Sequence, residues 1–497
     1  MKKYIFFRIV RSLLSVVIVT AIVYALIFSL IPRRAIFVSD QNYSKIAGNL
    51  DKRKNYENTI YEKQGYIDYL TPKELLTKIQ KTTPSYTSKV NQKNLATAKK
   101  YLDTQKGVWK LDELPTSRQI IATREIPLLE RVAKFYGNLI QIDHPWKIQD
   151  KSNPKLKRYL KLAWEDGLVI KGSGTEHKYL LYFDKKLPFI HQNFITLNLG
   201  ESYPTFGGRS VSDVLTSGQG ETVSKEVTMS DGSKMFSSLD PHTATYQPPK
   251  TQSKRQKAMY DDDYTNLKTN YQDPSMLQNS FTIAGLGTIL AYLIAIPAGA
   301  LMARHSGKFI DRFGLILLSS IVAIPSLALI YFNRLLGSSL FGLPDLFTTY
   351  GAGDVRSYIL PIIVIAMIAA PSFATWTRRY MTDQRSSDYV KFARAKGLSE
   401  KEISRHHVMK NALIPIVNGI PGAIISAFAG ATMTETIFLV PGMGKMLPDA
   451  IAANNNSMIV GITFVFTLTT VLAVLVGDIL MQYIDPRIKL STQKGGK

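Results

Sequence analysis

No cysteine occurs among the 497 residues, so any part of the chain that stands outside a cell is held by packing alone, without a disulfide framework. No G-x-x-x-x-G-K-[ST] phosphate loop is present, which removes the usual backbone cradle for ATP. The polar N-terminal half carries no catalytic motif. Acidic residues are few: 38 Asp plus Glu stand against 61 Lys plus Arg, a formal charge of +23 with a pI near 9.7. A charge of that size suggests nucleic acid until its placement along the chain is known.

Charge of either sign is also missing from six long stretches, and this absence decides the class. The averages, 45% hydrophobic residues and a mean hydropathy of -0.01, resemble those of a soluble multi-domain protein. They mix two materials: the chain from Gln41 to about Asp273 is polar, and that from Phe281 to Tyr483 is dominated by apolar runs. The uncharged stretches are Ser12 to Leu30, Phe281 to Ala303, Phe313 to Phe332, Tyr358 to Thr377, Ala412 to Thr434 and Met458 to Gly477. Each has about the 20 residues a helix needs to cross roughly 30 Å of hydrocarbon. The expected fold is therefore an all-α polytopic membrane protein of six transmembrane helices. The first run follows Lys2, Lys3, Arg8 and Arg11, as in a secretory signal, but it is long and has no small-x-small cleavage site after it. It reads as an uncleaved anchor.

Basic residues cluster in the segments 1–11, 303–312, 377–412 and 485–497, whereas the segments 336–357 and 437–457 hold only Arg356 and Lys445 against Asp345, Asp354 and Asp449. The positive-inside rule then puts both termini in the cytoplasm and accounts for much of the net charge, leaving no case for nucleic acid. The domains expected are residues 1–32, cytoplasmic N-terminus and first transmembrane helix; 33–275, an extracellular domain; 276–484, a core of five transmembrane helices with a cytoplasmic loop 378–411; and 485–497, a cytoplasmic tail.

The extracellular region is long enough to bury its own core. From Asn55 to about Tyr136 it reads as mainly helical, with Pro72 opening one helix, while Leu168–Ile170 and Tyr179–Phe183 read as strands, so an α+β domain is expected. Thr216 to Lys254, rich in Gly, Ser, Thr and Pro, reads as loop. Trp109, Trp146 and Trp164 read as core residues. Within the spans, Pro297, Pro325, Pro371 and Pro421 predict bends, and Gly285, Gly287, Gly299, Gly422 and Gly430 predict close helix contacts.

The loop Arg378 to Asn411 reads as two short helices flanking Gly397. Tyr389, Val390, Phe392, Ala393 and Ala395 give the first an apolar side, Gly397-Leu398 makes a left-handed stop, and Ser399 with Glu402 forms a capping box for the second. Such a helix pair suits a groove on a partner, or else is a solvated basic connector. His406 and His407 point about 100° apart on a helix and have no accompanying ligand cluster, so no metal site is expected.

Ala393-Arg394-Ala395-Lys396-Gly397-Leu398, followed by Arg405-His406 and by Asn411 to Pro415, closely resembles the cytoplasmic loop of the oligopeptide and dipeptide permeases of ABC importers, the OppB/DppB family. Glu435-Thr436-Ile437-Phe438, Pro441-Gly442-Met443-Gly444, Asp485-Pro486-Arg487, Asn198 to Ser202 and Val211-Ser212-Asp213 agree with it in order. The large segment between the first two spans resembles the AmiC-type permeases of streptococci. The family motif's opening Glu is absent here and its proline falls late, at Pro415, which fits the peptide branch. The resemblance implies an oligopeptide importer subunit with no enzymatic activity and no cofactor of its own. Its expected partners are a homologous second permease, two cytoplasmic ATPases that hold ATP and Mg, an extracellular peptide-binding lipoprotein, peptide and membrane lipid. It also implies the plasma membrane of a Gram-positive bacterium. Ala393 to Leu398, Arg405, His406, Asn411 and Pro415 are then the ATPase-coupling loop, and Glu435, Thr436, Pro441, Gly442 and Gly444 an external loop motif. Another cargo, such as nickel or a modified peptide, is the alternative. A secondary transporter would carry ionisable groups within its spans and a repeated architecture, and a surface sensor would need a cytoplasmic signalling module; the sequence has none of these.

Overall fold

The computed structural model describes residues 2–144, 146, 158–165, 167–172, 178–183, 189–228, 234–246 and 265–484. Asp485-Pro486-Arg487 and the rest of the tail 485–497 lie outside them. The first apolar run, dense in Val, Ile and Leu with no Gly or Pro, forms the uninterrupted helix α1 (Lys2–Leu30). The chain then enters a module of short helices α2 (Gln41–Lys45), α3 (Leu50–Lys63), α4 (Pro72–Gln80), α5 (Gln92–Asp103), α6 (Leu128–Leu139) and α7 (Val211–Thr216), interleaved with strands. Pro72 does open a helix: it sits at the first turn of α4 behind a Thr71–Glu74 capping box.

Strands β1 (Ile67–Leu70), β2 (Trp109–Glu113) and β3 (Ile120–Glu125) form an antiparallel sheet in the order β1-β3-β2. Alternation along β3 serves two cores. Ile120 and Ala122 pack with Leu75, Ile79, Ala98 and Leu102 of α4 and α5, and Ile121 packs with Tyr24 and Phe28 of α1. The expectation that residues 55–136 are mainly helical is thus corrected: three strands of four to six residues, too short for a clear period-2 signal, lie among the helices. A four-stranded antiparallel sheet, β4 (Leu160–Trp164), β5 (Leu168–Gly172), β6 (Tyr179–Phe183) and β7 (Ile190–Gln192), contains the two strands read from sequence. The stretch expected to be loop contains strands Gln219–Thr222, Lys225–Thr228, Lys234–Ser237 and Leu239–Tyr246, because its Thr and Val residues suit pleated backbone despite the neighbouring glycines and serines. Trp146 and Trp164 are 62% and 78% exposed and are not core residues; Trp109 is half-buried.

Beyond the module the chain forms α8 (Met276–Arg304), α9 (Phe309–Ala323), α10 (Ser326–Phe341), α11 (Arg356–Arg385), α12 (Asp388–Ala395), α13 (Glu400–Glu402), α14 (Met409–Asn418), α15 (Ile420–Phe438), α16 (Met443–Ala452) and α17 (Asn456–Ile484). Among the described residues four helices are long and apolar enough to cross a membrane, within α1, α8, α11 and α17, and α9 with α10 makes a fifth if the pair is one span. Six unbroken helices are therefore not what forms. The third run breaks before Pro325, where Ile324 is driven to extended backbone and the two halves meet at 102°. The fifth breaks at Gly419, between Pro415 and Pro421, separating α14 from α15.

Helices α8 and α11 pack along a seam of small residues. A Cβ on Gly287 would stand 2.7 Å from Ile365 Cγ2, and one on Gly299 would stand 2.5 Å from the Ala374 carbonyl. Ala291, Ala295, Ala366, Ala370 and Ala374 are buried between them. Apolar side chains gain little by leaving lipid for each other, so close backbone approach supplies the contact. Gly285 and Gly422 have open space instead. At the other side of the bundle α17 packs on α1, and Arg8 pairs with Asp478.

The module is fastened to the bundle where α17 begins. Asn455 donates to the Ser202 and Thr205 hydroxyls (2.8 and 2.7 Å) and accepts from the Met458 N–H (3.1 Å). Asn456 donates to the Tyr66 hydroxyl (2.9 Å), and the Ser457 hydroxyl donates to Gln64 Oε1 (2.8 Å). All three residues are buried, as are Leu199 and Val211 of the module, which pack against Met458, Ile459 and Ile462 of α17. Asn455→Ala removes a helix cap and the two hydrogen bonds to the Ser202 and Thr205 hydroxyls, so a loss of about 2–3 kcal/mol is expected. It is checked by thermal unfolding of the full-length protein in detergent, where an unchanged Tm contradicts this fastening.

Candidate functional site

Two compact polar arrangements lie at opposite ends of the bundle. At the end away from the module, α11 closes at Arg385 and α12 turns across it. Val390 and Ala393 of α12 pack into a buried cluster with Ala303, Met381, Ile403, Val408 and Ala412, so α12 is welded to α8, α11 and α14. Gly397 holds φ +80, a left-handed stop, with its N–H donated to the Arg394 carbonyl (2.9 Å). Ser399 and Glu402 form the reciprocal capping box, and Ile403–Val408 continues as a π-helical turn into α14. Arg385 donates to the carbonyls of Ala303 and Arg304 (2.8 and 3.0 Å), satisfying the last turn of α8. Arg385 and Arg394 both reach Glu400 (3.3 and 2.5 Å). Beside them, buried Asp311 of α9 accepts from Arg378 Nη2 (2.7 Å) and from the Gly307 N–H (2.8 Å).

The helix face turned away from this cluster is exposed and mixed: Phe392 is 70% and Leu398 37% accessible, among Lys391, Ala395, Lys396 and Lys401. The sequence reading gave α12 one apolar side. The structure divides those residues, burying Val390 and Ala393 and leaving Phe392 and Ala395 outward. Arg405 and His406 are also exposed, whereas Asn411 and Pro415 are half-buried.

At the module end, Glu435 of α15 is fully buried and the chain wraps around it. It accepts from the Ser280 hydroxyl (2.6 Å) and the Lys445 N–H (3.0 Å), and Ser280 in turn accepts from the Met443 N–H (2.8 Å). Asn279 Nδ2 donates to the Pro441 carbonyl and the Tyr358 hydroxyl donates to Asn279 Oδ1, both at 2.9 Å. A Cβ on Gly442 would collide with the Glu435 carboxylate, and one on Gly444 would lie 2.9 Å from both Glu435 Oε2 and Thr432 Cα. The two glycines are therefore required by close approach. Glu435, Pro441, Gly442 and Gly444 form one knot, while Thr436 points outward and bonds only its own helix.

Between these ends a cleft of about 240 Å³ opens at the α14–α15 break, bounded by Tyr292, Ser372, Phe373, Trp376, Tyr380, Pro415 and Gly419. Tyr292 stacks on Phe373 (4.4 Å between centroids) and Trp376 on Tyr380 (5.5 Å). Ser372, Thr375, Trp376 and Arg379 recur at helical spacing on the exposed face of α11.

Residues 295–490 match the family model described as the binding-protein-dependent transport system inner membrane component. The oligopeptide transport system permease protein AmiC of Streptococcus pneumoniae serotype 4 is 50% identical over 501 residues, covering 100% of both chains. The dipeptide transport system permease protein DppB of Lactococcus lactis subsp. cremoris is 34% identical over 233 residues, 46% of this chain and 74% of that one. The oligopeptide transport system permease protein AppB of Bacillus subtilis is 32% identical over 222 residues, 43% of this chain and 70% of that one. The chain belongs to this permease family. Its members are ABC-transporter membrane subunits rather than enzymes, and the fold is accordingly that of a type I permease with several apolar helices.

For this permease the sequence reading named the loop around Gly397 and the Pro441–Gly444 segment, but not Asn279, Ser280 or Tyr358, which complete the knot. Their signal was faint: two adjacent polar residues just before the second apolar run. Glu435→Ala would leave a buried hydroxyl and N–H groups unpaired beside a cavity, and a loss of about 3–4 kcal/mol is expected. It is read as a lowered Tm of the full-length protein, and wild-type stability in that variant contradicts the knot's role.

Proposed function

We propose that this permease forms one half of the path of an ATP-driven oligopeptide importer. The observation that carries the reading is similarity along the whole chain, module included, to an oligopeptide permease at 50% identity. Six crossings are proposed: α1, α8, the bent α9–α10 pair, α11, the broken α14–α15 pair and α17. Both termini and the α12 loop lie in the cytoplasm, and residues 33–275 lie outside the cell. The distribution of basic residues supports that orientation, since the α12 end carries Arg378, Arg379, Arg385, Lys391, Arg394 and Lys396.

The exposed face of α12, with Phe392 and Leu398 as apolar knobs, suits a groove on a cytoplasmic ATPase. Force applied there reaches α8, α11 and α14 together, because the buried cluster joins α12 to them and the Arg385–carbonyl bonds tie α11 to α8. A rigid-body movement of that kind is how an ATPase pair that closes on ATP would turn the pore. ATP and Mg belong to those partner subunits. A homologous second permease would line the other half of the path, and an external peptide-binding lipoprotein would deliver peptide, with the module bracing it. The aromatic cleft at the α14–α15 junction fits the path itself: the exposed polar side chain of Asn418 is costly against lipid and is tolerated where it faces water or protein.

The experiment is affinity purification from native membranes with identification of the co-purifying chains, followed by radiolabelled uptake in a deletion strain. Recovery of two ATPases and a second permease, with peptide uptake lost on deletion, is expected; intact peptide uptake with lost nickel uptake refutes the cargo. Gly397→Asp strains a left-handed position without meeting any neighbour, so the complex is expected to assemble but to import at least about tenfold more slowly per ATP, a loss of roughly 1.4 kcal/mol in coupling. Normal import per ATP contradicts the coupling assignment.

A further inference from the structure

Where α1 and α17 emerge beneath the module, a cleft of about 210 Å³ is lined by Lys63, Arg131 and Lys134 and by no carboxylate. Its floor is apolar, made by Tyr24 and Phe28 of α1, Phe135 of α6 and Val460 of α17. Arg131 is the unusual group. It is 8% exposed, and its Nε and Nη1 are buried without a hydrogen-bond partner. Its guanidinium lies over the rings of Phe28 and Tyr66, 5.8 and 5.1 Å from their centroids. The surrounding carboxylates serve other cations: Glu125 takes two bonds from Arg33 (2.8 and 2.6 Å), while Glu130, held by Arg124 (2.8 Å) and Lys134 (3.2 Å), and Glu201, held by Lys63 (3.2 Å), offset the two lining lysines and leave Arg131 as the cleft's unpaired cation. A buried cation left in this state calls for an anion, because desolvation of a charge without a partner is strongly unfavourable.

We propose that this cleft binds the phosphate of an anionic phospholipid, with Arg131 as its central ligand and Lys63 and Lys134 at its rim. Position selects lipid over a soluble anion. The cleft sits at the last two turns of α1, whose opposite side exposes Ile22, Leu26 and Leu30; on the proposed topology, on which this inference rests, that is the level where headgroups meet hydrocarbon. Tyr24 and Phe28 give acyl and glycerol carbons a surface beside the cationic pocket. Planar guanidinium geometry favours bidentate contact with phosphate oxygens. The same cleft touches Gln64 and Ser457, members of the joint that fastens module to bundle, so an occupied site would brace that joint.

The test uses the full-length chain with whatever subunits accompany it, in mixed micelles. Phosphatidylglycerol is expected to raise Tm by several degrees over phosphatidylcholine, inorganic phosphate to have no such effect, and native mass spectrometry to find phosphatidylglycerol retained. Arg131→Gln should abolish the increment, and should it fail to fold, Lys63→Gln with Lys134→Gln should reduce retention at least severalfold. An equal rise with inorganic phosphate would overturn the lipid assignment in favour of a soluble anion. Equal Tm in both lipids with no phospholipid retained would mean that the cleft holds only water.

Discussion

The seam between α8 and α11 is the contact on which the other features of this permease hang. Because lipid offers apolar side chains nearly the same environment as each other, two helices stay together only if their backbones come close enough for dense dispersion contact. Gly287, Gly299 and five buried alanines provide that closeness. Each end of the seam then carries a polar device. Asn279 and Ser280 at the start of α8, with Tyr358 near the start of α11, organise the Glu435 knot. At the other end the carbonyls of Ala303 and Arg304 are capped by Arg385 of α11, from which α12 departs. The two sites are about one helix length apart and share the same pair of helices.

Buried polarity is spent differently in the two places. The knot uses one carboxylate to receive donors from two segments, which fixes a loop whose glycines permit the approach. The α12 region uses several exposed ion pairs, each worth little alone, over a compact apolar cluster that does most of the holding. This division suits a surface that must face a partner on one side while staying rigid on the other. Asp311, buried and bonded to Arg378, extends the rigid zone to α9 and gives the bent third segment a fixed foot.

Sequence made much of this legible, and unevenly. The apolar runs located the helices because the absence of charge over about 20 residues is a strong physical signal. It could not foretell that the helix would be interrupted at Pro325 and at Gly419, since a proline in a membrane helix leaves it continuous, as at Pro297 and Pro371, or ends it, as at Pro325, depending on what its neighbours satisfy. Gly397 and the Ser399–Glu402 box were readable because left-handed stops and caps are local. The partners of Glu435 were not, since Ser280 lies 155 residues away and only the fold brings them together. In the module, local signals placed α4 and β6 correctly, while β1 to β3 depend on packing against α1 and were missed.

The pairing of α1 with α17 has a consequence for the order in which the molecule is made. The first helix enters the membrane early in synthesis, yet its neighbour, with Asp478 opposite Arg8, is among the last segments to be translated. The module likewise is completed long before Asn455, Asn456 and Ser457 exist to receive Tyr66, Gln64 and Ser202. Until that last helix is made the chain therefore carries the module without these buried contacts, and the arrival of α17 is the event that turns a tethered domain into a rigid part of the permease.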